Sequence, residues 1–136
     1  MGDARLWVVK RASRELTYGS RHDDGRYRLT ATALSMPGRY RFGAVVEAVA
    51  DADGSLVVDR LVERSPFRSA ATGLSGEEVE STALAALKAK VMHAGGHWEQ
   101  ILGGSFIVHL PRGGDDPRRL IEESLGRPSP GGVDLG

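Results

Sequence analysis

The residues of this chain best suited to chemistry are gathered late in it, at His93, His97, Trp98, Glu99 and His109. Imidazoles accept and release protons near neutral pH and bind metal ions through a neutral ring nitrogen, while a carboxylate can orient either role. His97 and His109 are therefore the candidate metal ligands, and His97, Glu99 and His109 together the candidate acid-base or metal site of an enzyme. His93 and His97 have the four-residue spacing of a helical pair, but Gly95-Gly96 between them stops a helix, so their rings are expected to diverge. On a strand, His97 and Glu99 would share a face. No nucleophile motif accompanies them. Gly73-Leu74-Ser75-Gly76 lacks the last spacing of a Gly-x-Ser-x-Gly elbow, and Gly103-Gly104-Ser105 is not followed by a helix that would make it a phosphate cradle. Asp51, Asp53 and Asp59 do not have calcium-loop spacing. No catalytic residue and no cofactor is expected from these patterns.

A second chemistry-bearing set is basic. Residues 1–45 hold nine Arg or Lys against four acids, although the 136-residue chain balances 18 basic with 18 acidic side chains. Arg14, Arg21, Arg26, Arg28, Arg39 and Arg41 are the candidate phosphate contacts, with Tyr27 or Tyr40 to stack on exposed bases, so nucleic acid is the alternative partner. Fifteen of the 18 basic residues are Arg in a chain rich in Ala and Gly, a bias that GC-rich coding produces without any phosphate to bind.

The elements that must position these residues are organised around Ser75–Gly96. Ser75 and Glu78 form a capping-box pattern, Val79, Ala83, Leu84, Leu87 and Val91 recur at helical spacing, and Gly95-Gly96 ends the segment. This predicts one long helix. Before it, Tyr27–Ala33, Tyr40–Val49 and Leu56–Glu63 alternate with a period of two, separated by Met36-Pro37-Gly38 in type II order and by Asp51-Ala52-Asp53-Gly54. Leu6–Val9 reads equally as strand or helix, Arg11–Gly25 as a connecting loop, and Ser65–Leu74 as a polar passage. After the helix, His97–Leu102 and Phe106–Leu110 flank a hairpin turn, and Asp116-Pro117 opens a short helix to Leu125. Residues 126–136, with Arg127-Pro128-Ser129-Pro130-Gly131-Gly132, read as a flexible tail.

Gly73-Leu74-Ser75 with Ala83, Ala85 and Ala86 resembles the start and body of the last helix of the double-stranded RNA-binding domain. That family places basic residues just after the Ser, where this chain has Gly76-Glu77-Glu78, and membership is not inferred.

The expected fold is α+β: an antiparallel β-meander of about five strands with one long helix packed on one face and a short C-terminal helix, forming a single domain over residues 1–125. Val45 and Val49 alternate against Tyr40, Phe42 and Val46, which makes the sheet apolar on both faces, and the second face needs a cover. The expected function is accordingly a small non-catalytic module that binds another protein or its own copies as a homo-oligomer. The absence of Cys, of a leader-like apolar start and of any window near the roughly 20 apolar residues of a membrane span fits a cytoplasmic protein with no membrane partner.

Overall fold

A computed structural model describes residues 3–102, 104–129 and 133–135. The chain divides into two compact units, Met1–Pro66 and Phe67–Gly136.

The first unit is a closed barrel of five sequential strands, β1 (Ala4–Lys10), β2 (Ser13–Asp23), β3 (Arg26–Leu29), β4 (Val45–Ala50) and β5 (Leu56–Glu63). Each strand pairs antiparallel with the next, and the barrel closes where β5 lies beside β1 with Leu6 opposite Leu56 and Trp7 opposite Val57. That closing pair is parallel because an odd number of alternating strands returns to the starting direction. Leu6, Val8, Leu29, Val46 and Ala48 point inward, joined by Ala33, Tyr40 and Ala44 from the long β3–β4 connection. Glu15 holds that connection in place, its carboxylate accepting from the Leu34 and Ser35 amides at 2.6 and 2.7 Å. Thr17 adds a hydroxyl bond to the Ala31 carbonyl at 3.0 Å. Gly19 lies so close to Leu6, Tyr27 and the Arg28 carbonyl that an added Cβ would stand 2.9 to 3.2 Å from all three, which fixes the smallest residue on this inward position.

The second unit is β6 (Phe67–Gly73), α1 (Gly76–Val79), α2 (Thr82–His93), β7 (His97–Ile101), β8 (Ser105–Pro111), α3 (Pro117–Leu125) and β9 (Val133–Asp134). Its sheet runs β7-β8-β6-β9, antiparallel throughout. One face is covered by the helices, which bury Leu84, Leu87, Val91 and Ile121 against Ala70, Phe106, Val108 and Leu110; each such side chain contributes roughly 1.5 to 3 kcal/mol. Trp98 stacks on Phe106 at 5.9 Å between centroids, and the Lys88 ammonium sits 4.3 Å above the Trp98 ring.

The expected layout is overturned. The first five strands close into a barrel, with β2 where a loop was expected, while the late hairpin and the helices belong to a separate sheet. The segment from Ser75 is not one long helix either. The Ser75 capping box forms, Ser75 accepting from the Glu78 amide at 3.2 Å and Glu78 from the Ser75 amide at 2.9 Å. Ser81 then caps afresh, accepting from the Leu84 amide at 3.0 Å, and this competing side chain splits the helix after Val79. Arg11–Gly25 is mostly the 11-residue strand β2, and Ser65–Leu74 contains β6. The strands expected over Tyr27–Ala33 and Tyr40–Val49 shrink to Arg26–Leu29 and Val45–Ala50. Gly38 is not among the residues of positive φ, so the Met36-Pro37-Gly38 reversal is not type II; the Met36 carbonyl accepts from both the Arg39 amide at 3.1 Å and the Tyr40 amide at 2.9 Å. Leu6–Val9 is strand. The late hairpin and the Asp116-capped helix with Pro117 in its first turn form as expected. Of the hairpin's Gly103-Gly104-Ser105, Gly103 lies outside the described residues, as do Pro130, Gly131 and Gly132 of the expected tail.

Gly136 also lies outside the described residues, and Gly126 and Arg127 make defined contacts. Gly126 ends α3 in the left-handed conformation at φ 68. Arg127 then donates to both Glu78 oxygens, at 2.6 and 2.8 Å, and to the Gly73 carbonyl at 2.7 Å. The Arg127 bonds, with help from the Ser75 amide, hold the Glu78 carboxyl down at about 2.

Candidate functional site

His97, Glu99 and His109 are brought together by the β7–β8 hairpin, which sets His97 directly opposite His109, while β6 places Ser69 opposite His109 on its other side. These residues occupy the sheet face opposite the helices, because Val108 and Leu110, the neighbours of His109, point into the helix-covered core. The His109 ring is wholly buried with one nitrogen on each partner: Nδ1 is 2.6 Å from the Ser69 hydroxyl and Nε2 is 2.6 Å from Glu99 Oε2. In a neutral ring, Ser69 donates to Nδ1 and Nε2–H donates to Glu99. The His97 ring stacks on His109 with centroids 6.2 Å apart. Burial, and then the neighbouring His109, lower the His97 pKa from its usual value, with Glu99 opposing.

A hydroxyl, an imidazole and a carboxylate in series resemble the parts of an acyl-transfer site, but the chemistry needs an accessible nucleophile. The Ser69 side chain is completely buried, so its hydroxyl is used up in orienting a ring. Both nitrogens of His109 are engaged, and among the described residues no group of three or more His, Cys, Asp or Glu could hold a metal ion. His93, at the end of α2, is exposed and takes no part in the series.

The six candidate arginines are dispersed over the barrel unit, several of them beside carboxylates. Arg14 bonds Asp51 at 3.2 Å, Arg21 bonds Asp24 at 2.8 Å, Arg26 lies 3.9 Å from Glu47, and Arg28 lies 3.7 Å from Glu63 while donating to the Gly43 carbonyl at 2.7 Å. Arg39 stands over the Tyr40 ring at 5.4 Å, and Arg41 is buried. The two rings proposed for base stacking face inward, Tyr40 buried in the barrel core and Tyr27 packed against it. Four of the six charges are thus already offset by a neighbouring carboxylate, and neither tyrosine expected to stack on bases faces outward.

A different feature, of which the sequence reading singled out only Val49, lies on the outside of the barrel. The strand register lines up Leu16 of β2, Trp7 of β1, Val57 of β5 and Val49 of β4 in one row, all pointing away from the barrel interior. Val9 and Tyr18 adjoin this row. Val9 is 45% exposed, Tyr18 40% and Val49 49%. The Arg14 guanidinium lies over Trp7, 5.3 Å from the ring centre, on its way to Asp51. Four strands at the usual spacing make the row about 14 Å wide. Its sequence signals are the alternation of Arg5-Leu6-Trp7-Val8-Val9, in which both faces are apolar, and Val49 on the second face of its strand.

No helix is long and apolar enough to cross a membrane among the described residues. Comparison with protein-family models and with curated proteins gives no match. Among solved structures, the chain is similar to a hypothetical protein from Neisseria gonorrhoeae, with a TM-score of 0.59 and 17% identity over 93% of this chain and 84% of that one. At that identity the likeness shows the fold alone.

Proposed function

We propose that this protein is a small non-catalytic module that associates with a second copy of itself through the outer face of its barrel. The observation carrying this reading is the row Leu16–Trp7–Val57–Val49, extended by the exposed Val9 and Tyr18. Scattered apolar side chains on a surface need no explanation, but a contiguous row across four strands does. A second copy suits the margins of the row. Exposed Arg5 lies on the β1–β2 side and exposed Asp59 on the β4–β5 side, while Arg14 and Asp51 already bond each other within one copy. A two-fold axis along the strands sets Arg5 of each copy toward Asp59 of the other. The apolar centre is smaller than the roughly 800 Å² per partner of a standard stable interface, so the association belongs to the weak, polar-rimmed class.

The test is sedimentation equilibrium of the full chain with and without Val9→Lys and Val49→Lys together. Both positions are exposed, so the pair should change stability by less than about 1 kcal/mol. The wild type should dimerise with a Kd between about 1 μM and 1 mM, and the double variant should remain monomeric. A wild type that stays monomeric at about 1 mM, or a double variant that dimerises equally, overturns the reading.

A further inference from the structure

The ion pair that bonds within one copy lies on the barrel row itself. Arg14 leaves β2 opposite Val9, and its guanidinium comes 5.3 Å from the centre of the Trp7 ring while bonding the Asp51 carboxylate at 3.2 Å. Asp51 follows β4 at the far side of the row, just past the Val49 and Ala50 that end that strand. The bonded pair therefore crosses the row on its outer surface, from β2 over β1 to the end of β4. The exposures agree with this: Leu16, Trp7 and Val57 at the centre are half-buried, whereas Val9, Tyr18 and Val49 around them are exposed.

The two ends of the crossing are held differently. Asp51 is fixed by its turn, where Oδ1 accepts from the Asp53 and Ser55 amides, each at 3.1 Å, which leaves Oδ2 for Arg14. Arg14 is held by that bond and by the ring beneath it, and its side chain is 46% exposed. Exposed ion pairs and cation–ring contacts are individually weak, so the crossing can open without unfolding the barrel. A second apolar face closing over the bonded pair would take a guanidinium and a carboxylate out of water, and their mutual attraction seldom repays that. Arg14 has to leave Trp7 before the row can be covered.

We propose that the Arg14–Asp51 pair is an autoinhibitory strap, which covers Trp7 in the free chain and must release before the row meets a second copy. This inference rests on the self-association reading and adds the regulation of that surface. Ionic strength screens an exposed pair and loosens the strap, while low salt holds it shut.

The experiment compares the full chain with Asp51→Asn by sedimentation equilibrium and by NMR of the Arg14 side chain. Asn keeps an oxygen for the Asp53 and Ser55 amides and puts an amide nitrogen where Arg14 bonds, so the turn stays and the strap is lost. Asp59→Asn is the control, with the same change of charge on the same side of the row and no part in the strap. The Arg14 side-chain resonances, shifted by the Trp7 ring current in the wild type, should move toward their usual positions in Asp51→Asn. That variant should dimerise about three- to tenfold more tightly at low salt, the range that one exposed ion pair with a ring contact supplies. Its advantage over the wild type should narrow at about 0.5 M sodium chloride, where screening opens the strap in both. Asp59→Asn should dimerise no more tightly than the wild type. Arg14 resonances that move while the Kd stays unchanged overturn the strap and leave the row reading standing. Unmoved Arg14 resonances, or an equal tightening in Asp59→Asn, overturn it as well. Wild type and Asp51→Asn both monomeric at about 1 mM overturn the row reading, and the strap with it.

Discussion

The two units bury cores of similar size by opposite means. The barrel satisfies its strand edges with its own strands and fills its interior with aliphatic side chains and a returning loop, so no helix is required. The second sheet leaves one face for helices to cover, pairs β6 with β9 along one side, and carries an ion pair, Arg127 on Glu78, just after α3. Closure removes edges as a problem; an open sheet has to manage each edge separately. It follows that single contacts should matter more in the second unit than in the first.

That contrast can be broken experimentally, beginning with the cores. Phe106→Ala removes the largest buried side chain of the open sheet together with its stacking on Trp98, and should cost about 4 kcal/mol in urea unfolding. Leu6→Ala in the barrel should cost about 3 kcal/mol. Equal or reversed values would remove the asymmetry. Next, Arg127→Ala should cost about 2 kcal/mol by releasing a two-pronged charged hydrogen bond. Because the Glu78 carboxyl is held down at about 2, its contribution is fully present above the ordinary carboxyl pKa of 4.5 and is lost as pH falls from there toward about 2. The Arg127→Ala chain should lose less stability than the wild type over that window. Ser69→Ala, which leaves Nδ1 of a buried ring without its hydroxyl, should cost about 1 to 2 kcal/mol; a neutral result would mean that the Ser69–His109–Glu99 series contributes nothing to the sheet.

The smallest effect concerns His97. Its folded pKa lies below the usual 6.5, so the unfolded chain binds the extra proton first and stability declines as pH falls below about 6.5. His97→Gln should flatten the stability-pH curve in that region, measured by thermal unfolding between pH 7.5 and 5.5, values chosen to bracket the usual imidazole pKa of about 6.5.

What could be read from the sequence was local and carried by side chains that bond their own backbone. Ser75 with Glu78, Asp116 before Pro117, and Gly54 at φ 85 in the Asp51–Gly54 turn all act within a few residues of themselves. What could not be read was pairing across distance. The strand β2 escaped because its inward positions are Glu15, Thr17 and Gly19, so no apolar alternation marks it, and because its turn with β1, Arg11-Ala12, uses a positive φ of 57 at an arginine where a glycine or asparagine would have given the signal. β6 was hidden by its small residues. Barrel closure depends on how far a sheet coils, which no residue spacing states. The His97–Glu99 face and its neighbour His109 were legible from strand alternation; Ser69, the fourth member, was not, since it sits on the strand that was missed.

The parallel seam between β1 and β5 has a mechanical consequence. Because the first and last strands of the barrel run the same way, the chain enters at one end of it and leaves at the other. A pull on the two ends would therefore load the Leu6–Leu56 and Trp7–Val57 pairings sideways and all at once, like a lap joint, instead of opening them one after another like a zip.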